Sequence, residues 1–279
     1  MSMKKTIIMM ALAIAFGNAA TAQKEKKYEK LYYNNITQES DKYTIEVDNA
    51  VSTPGETKFK LKITNKTGDY LIFKPEECKF TINGKDVAPK EKWLIIKPFS
   101  NDFRIINCKG PDYNKVKSYS FSADGIYTAS PKGTVAKADD YKLPPSSNDF
   151  SAGDFKCTLD KLSKETDKTE AKFKVVYSGN KVGFIDPLKS AAKMPDGNEY
   201  AAKYSSGLLG GSGPIMLMKG ENDSFTIKWE RMEGGKKMDM QKVDMIVQWR
   251  ETFTEAPLEK AKGSTLNFEF DQATSDAKN

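Results

Sequence analysis

The stretch Phe59-Lys60-Leu61-Lys62-Ile63-Thr64-Asn65 decides how this chain is read, and it returns in the second half as Phe173-Lys174-Val175-Val176-Tyr177-Ser178-Gly179-Asn180. Both copies place apolar side chains at every second residue, the period that lays one face of a strand on a core and gives the other to water. The surroundings repeat as well. A Leu/Ile-rich run ends at Pro75 and at Pro187, a turn pair follows at Asn83-Gly84 and Asp196-Gly197, and Val47-Asp48-Asn49 before the first copy matches Leu159-Asp160-Lys161 before the second. Two copies of one β unit are therefore expected.

Working outward, residues 1–22 carry Lys4 and Lys5, an apolar run from Ile7 to Phe16, and the small-x-small end Ala20-Thr21-Ala22. That pattern predicts a signal peptide cleaved between Ala22 and Gln23. The run is too short for a membrane span and no second one follows. The expected localisation is periplasmic or extracellular.

Residues 23–41, rich in Lys, Glu, Tyr and Asn, read as a flexible leader. The first unit is expected over residues 42–128. Thr53-Pro54-Gly55, Lys66-Thr67-Gly68-Asp69 and Asn83-Gly84 serve as its turns, and Trp93 to Ile96 and Phe103 to Ile106 as apolar runs. Residues 129–149, containing Pro144-Pro145, read as a Pro/Ser-rich linker. The second unit is expected over residues 150–270, with a disordered polar tail over 271–279. Strand signals recur about every ten residues with no good amphipathic helix, which predicts an all-β protein of antiparallel sandwiches.

The whole chain carries 44 Lys+Arg against 38 Asp+Glu, a formal charge of +6. Lysines alternate with apolar residues at 58, 60 and 62 and again at 172 and 174, as on the solvated face of a strand. Arginine is scarce, so a nucleic-acid groove is not expected. Histidine is absent. Its absence removes Ser-His-Asp and Cys-His mechanisms and imidazole metal sites. Paired carboxylates remain available for glycoside hydrolysis, but the acids sit mostly in turns and between lysines, so no enzyme is expected.

Three cysteines in an oxidising compartment suggest one bridge, Cys78 to Cys108, with Cys157 buried as a small apolar residue. Outside the signal segment the methionines all fall in the second repeat. The x+2 pairs Met216/Met218 and Met238/Met240 form a candidate Cu(I) site, against the alternative of core filling. Leu208 and Leu209, in the glycine-rich loop from Gly207 to Pro214, and Trp93 are candidate contact residues. Trp229 and Trp249 share parity with core positions. Asn35-Ile36-Thr37, Asn65-Lys66-Thr67 and Asn222-Asp223-Ser224 would be glycan acceptors in a eukaryotic host.

The repeated Phe-x-Leu-x-Ile-x-Asn pattern resembles the immunoglobulin-like β-sandwich modules of exported bacterial proteins. It lacks the Cys…Trp…Cys spacing of true immunoglobulin domains. The resemblance implies a fold of two tandem sandwiches and carries over no functional residue. Together these features predict a non-catalytic binding or scaffolding protein without cofactor, with a protein or glycan of the envelope as partner. A carbohydrate-binding module, a Met-rich copper protein and a carboxylate-dependent hydrolase are the alternatives.

Overall fold

The computed structural model describes residues 26–204, 213–231 and 239–279. The described residues are all-β, with several antiparallel sheets and one short α-helix. The first half supplies β1 (Leu31–Tyr32), β2 (Ile36–Glu39), β3 (Tyr43–Ser52), β4 (Glu56–Asn65), β5 (Tyr70–Phe73), β6 (Lys79–Ile82), β7 (Lys85–Val87), β8 (Leu94–Ile96), β9 (Asn101–Lys109), β10 (Ser118–Ala123) and β11 (Ile126–Ala129). Next come β12 (Thr134–Val135) and β13 (Tyr141–Leu143). The second half repeats the order as β14 (Asp149–Ala152), β15 (Phe155–Lys164), β16 (Lys168–Tyr177), β17 (Val182–Ile185), β18 (Ala191–Lys193), β19 (Glu199–Ala201), β20 (Lys203–Tyr204), β21 (Ile215–Leu217), β22 (Asn222–Glu230), β23 (Met245–Gln248) and β24 (Phe253–Ala256). The chain closes with β25 (Glu259–Lys260), β26 (Ser264–Glu269) and the helix α1 (Gln272–Lys278).

The period-two pattern does what it predicts. In β4 and β16 alternate residues are buried, and Leu61 and Val175 take equivalent places in two separate cores. Each core lies under a five-stranded sheet, β1/β2–β3–β4–β9 in one half and β14–β15–β16–β22–β20 in the other. Facing the first is a pair of four-stranded sheets of matching order, β26–β10–β6–β7 and β25–β11–β5–β8. Facing the second is the pair β13–β23–β18–β19 and β12–β24–β17–β21. Layering of this kind is compatible with β-sandwich modules. Asn83 and Gly84 both adopt positive φ, as the Asn-Gly signal requires of a tight hairpin.

The two cores fill the same space differently. Where the first half stacks Ile45, Ile63 and Leu71, the second has Phe155, Tyr177 and Gly183. A Cβ on Gly183 would lie 2.8 Å from the Phe155 ring and 2.9 Å from Tyr177. Two large rings are thus accommodated by deleting the third side chain.

Several expected boundaries differ from what is found. β12 and β13 follow the first half in sequence but pair with β24 and β23, and Tyr141 and Leu143 enter the second core. Reciprocally, β25 and β26 follow the second half but pair with β11 and β10, and Leu266 and Phe268 enter the first core. Each half donates its last strand pair to the other. The expected linker over 129–149 therefore carries two short strands of the second unit, and residues 259–270 belong with the first unit rather than the second. A sequence pattern reports that a segment is half-buried, not which of two similar cores it is buried in.

The ends differ as well. Leader residues pair with β3 as β1 and β2, and Leu31 and Tyr33 are buried. Tyr33 Oη donates to the Val116 carbonyl. The tail forms α1, capped by Asp271, whose Oδ1 accepts from the Thr274 amide. It lies against the leader, where Ser275 Oγ accepts from the Tyr32 amide and Asp276 takes bonds from Lys26 and Tyr28. Both ends lack obvious periodicity because long-range pairing, not an amphipathic pattern, orders them.

A third cluster joins the halves. Tyr70, Ile72 and Ala129 from the first pack with Val182, Phe184 and Ala256 from the second, which explains why β5 and β17 are buried on both faces.

Candidate binding surface

Exposed residues that differ in polarity from their symmetry mates lie on β9. β9 pairs with β4 on one side and, among the described residues, with no strand on the other. Its even-numbered residues face the core or its rim, and its odd-numbered residues face out. Lys62 lies opposite Phe103 and Lys60 opposite Ile105. Phe103 is 51% exposed, Ile105 54%, and Phe99, in the preceding turn at φ 52°, 75%. The Lys60 ammonium sits 5.1 Å from the centre of the Phe103 ring. In the second half the corresponding positions are Asn222 opposite Val176 and Ser224 opposite Lys174. The apolar row is thus particular to the first half.

Trp93, just before β8, is 36% exposed; its carbonyl accepts from Arg104 of β9, but its ring lies over the facing layer. Its indole N–H donates to Glu76. The Lys74 ammonium stands 4.4 Å from the Trp93 ring centre and 4.6 Å from that of Tyr127, a double cation–π arrangement closed by the Glu77 carboxylate at 3.6 Å. Tyr127 donates to Glu77, and that bond pushes its hydroxyl up to about 12. The charges in this cluster satisfy one another and hold Trp93 in place.

The open side of β9 is more loosely dressed. The Phe103 amide donates to Asp102 Oδ1 at 2.7 Å and the Asn107 amide to Glu91 Oε1 at 3.0 Å, so two carboxylates cap groups that a neighbouring strand would otherwise take. Arg104 Nη2 donates to the Trp93 carbonyl at 2.9 Å, while its Nε is buried without a partner. Next to Asn107 is a groove of about 590 Å³ lined by Val87, Ala88, Lys90, Glu91, Asn107, Cys108 and Lys109. Among the described residues, neither Lys90, Lys92, Arg104 nor Lys109 forms an ion pair with a carboxylate.

Of the residues singled out from sequence, Trp93 is half-exposed and touches β9 through its carbonyl. Leu208 and Leu209, Met238, and the cleavage pair Ala22 and Gln23 lie outside the described residues. Met216 and Met218 pack in the cluster between the halves, whereas Met240 is buried in the second core, so the structure does not bring these three together. Trp229 and Trp249 are buried in the second core, as their parity indicated.

The expected Cys78–Cys108 bridge is not formed. All three cysteines are free and buried. Cys78 leads into β6 in one layer and its thiol faces the Lys74 carbonyl. Cys108 is in β9 of the opposite layer, 3.5 Å from the Tyr113 hydroxyl. Burial pushes the thiols of Cys78 and Cys157 up to about 12. Asn65 is also buried, its amide nitrogen donating to the Asp69 and Lys97 carbonyls, which makes it a structural residue and not a glycan acceptor.

Phe103 and Ile105 were not picked out from sequence as surface residues, because Phe103 to Ile106 reads as one apolar run. Aligning the repeats would have found them, since the second copy has Asn222 and Ser224 at the matching places.

No family model matches the chain, and no curated protein matches it. Among solved structures it is similar to the crystal structure of red sea bream transglutaminase, with 7% identity over 84% of this chain and 30% of that one and a TM-score of 0.18. The chain thus spans about a third of that protein's length, and a likeness so loose bears on neither fold nor activity.

Proposed function

We propose that this is an exported, non-catalytic binding or scaffolding protein of the cell envelope or extracellular space, built as two immunoglobulin-like β-sandwich modules. Its binding surface is the row formed by Phe103 and Ile105 on β9, with Phe99 in the turn before it. One observation carries the reading: two halves share a strand plan, yet only one replaces the polar row at Asn222 and Ser224 by exposed apolar side chains. Exposed apolar residues gathered on one face favour a contact surface. Export rests on the pattern of residues 1–22, and the absence of histidine supports a role in binding rather than proton transfer.

The test is affinity capture from the native envelope with wild-type protein and a Phe99→Ser/Phe103→Ser variant of unchanged melting temperature. A defined partner recovered by the wild type and lost in the variant is expected. Equal recovery by both would remove this surface from consideration. Glycan recognition is the second reading, favoured by the half-exposed indole of Trp93 held rigidly by Glu76 and Lys74. Array binding abolished by Trp93→Ala, with envelope capture unaffected, would place the protein with carbohydrate-binding modules.

A further inference from the structure

Resting on that binding role, we infer that the open edge of β9 takes an added β-strand: an extended segment of a partner protein, alternating apolar and acidic side chains, that lies along Phe103 to Lys109.

The internal repeat supplies the precedent. β22 is the counterpart of β9, with Lys228 opposite Glu170 as Lys109 is opposite Glu56. In the second half this edge is covered by β20, which places Lys203 opposite Lys228 and Tyr204 opposite Ile227. The first-half counterpart of β20 is the segment around Pro89 and Lys90. Proline lacks the N–H a ladder needs, and the segment stands off the edge and leaves the groove beside Asn107, Cys108 and Lys109. The fold therefore has a strand position here that the second half fills with its own chain and the first half does not.

The chemistry of the edge specifies the occupant. The ladder to β4 uses the even-numbered backbone groups of β9, so those of Phe103, Ile105, Asn107 and Lys109 point to the open side. The Asp102 and Glu91 carboxylates imitate a neighbouring strand's carbonyls at Phe103 and Asn107. An added strand sends alternate side chains to the two faces. On the outer face they meet Phe103 and Ile105, which favours apolar groups. On the other they approach Arg104 and Lys90, cations without carboxylate partners among the described residues, which favours acids.

The test uses the full chain and a fluorescein-labelled peptide of about eight alternating valines and glutamates, long enough to cover the exposed edge. Binding is expected to weaken roughly tenfold in Ile105→Lys and in Arg104→Gln, and to tighten about threefold in Glu91→Ala, which uncovers the Asn107 amide. Ser224→Lys at the matching site of the second half should change nothing. A peptide N-methylated at alternate residues should not bind, because main-chain pairing is blocked. The inference is overturned if the peptide fails to bind at about 1 mM, if Ile105→Lys leaves its affinity unchanged, or if the N-methylated or a valine–lysine peptide binds equally well. It is overturned too if the wild type self-associates and Ile105→Lys makes it monomeric, since the edge then belongs to a second copy. An envelope partner captured through Phe99 and Phe103 alongside a silent peptide would retain the binding role and discard strand addition.

Discussion

Replacing Phe268 by alanine tests the reciprocal strand exchange directly. Phe268 belongs in sequence to the end of the second repeat, but it is fully buried in the first core. Its ring stacks on Tyr119 at 4.4 Å and 7°, and lies 4.8 Å from Phe59. Truncation exposes no new polar group, so the loss is one of burial and packing. A phenyl side chain of about 200 Å² at about 25 cal/mol per Å² gives roughly 5 kcal/mol, which a compact unfolded state lowers to about 4. The range found for buried Phe→Ala changes, about 3–5 kcal/mol, agrees. That is a large share of the roughly 5–15 kcal/mol that holds a typical domain together. Urea titration measures the total, and hydrogen exchange read peptide by peptide locates it. Faster exchange is expected in β3, β4 and β10 before β15, β16 and β22. Phe253→Ala, fifteen or so residues earlier but in the second core, should give the opposite distribution. A Phe268→Ala protein that loses less than about 1 kcal/mol, or that loosens β16 and β22 first, would refute the exchanged topology.

Three further outcomes are expected. Gly183→Ala should destabilise by about 1–3 kcal/mol by forcing a methyl against Phe155 and Tyr177, whereas Leu71→Ala at the equivalent site should cost about 2–5 kcal/mol by leaving a cavity; urea midpoints separate the two. Without reductant, the denatured chain should titrate three thiols with Ellman's reagent and the folded chain should react slowly, while a native bridge would leave one. Stability should fall at both pH extremes. Burial raises Tyr33, Tyr113, Cys78 and Cys157 to about 12, so their contribution is complete below the unfolded values of 9.0 and 10.0 and is lost as pH climbs toward 12. On the acid side, hydrogen bonds from Lys203 and Lys228 hold Glu230 at about 2. Its contribution is present above 4.5 and disappears as pH drops through that lower value, a small effect weakened by salt because the groups are exposed. Melting temperatures across pH check both limbs, and a flat profile from 9 to 12 would contradict the buried hydroxyls and thiols.

The features legible in the order of residues were local and periodic. Alternation in Phe59 to Asn65 and in Phe173 to Tyr177 reports that each segment has one dry face, and Asn83-Gly84 reports a tight turn, because strand geometry and glycine's freedom act over a few residues. The burial of Trp229 and Trp249 followed from the same parity. Choice of partner was decided only in three dimensions. Nothing in Leu266 or Phe268 says that they complete the first core, and nothing in Tyr141 or Leu143 says that they complete the second. Two cores built on one plan accept the same apolar alternation, so connectivity and packing select between them. The candidate surface was not legible in that way: Phe103 and Ile105 looked like core until the sheet placed the odd residues of β9 toward water.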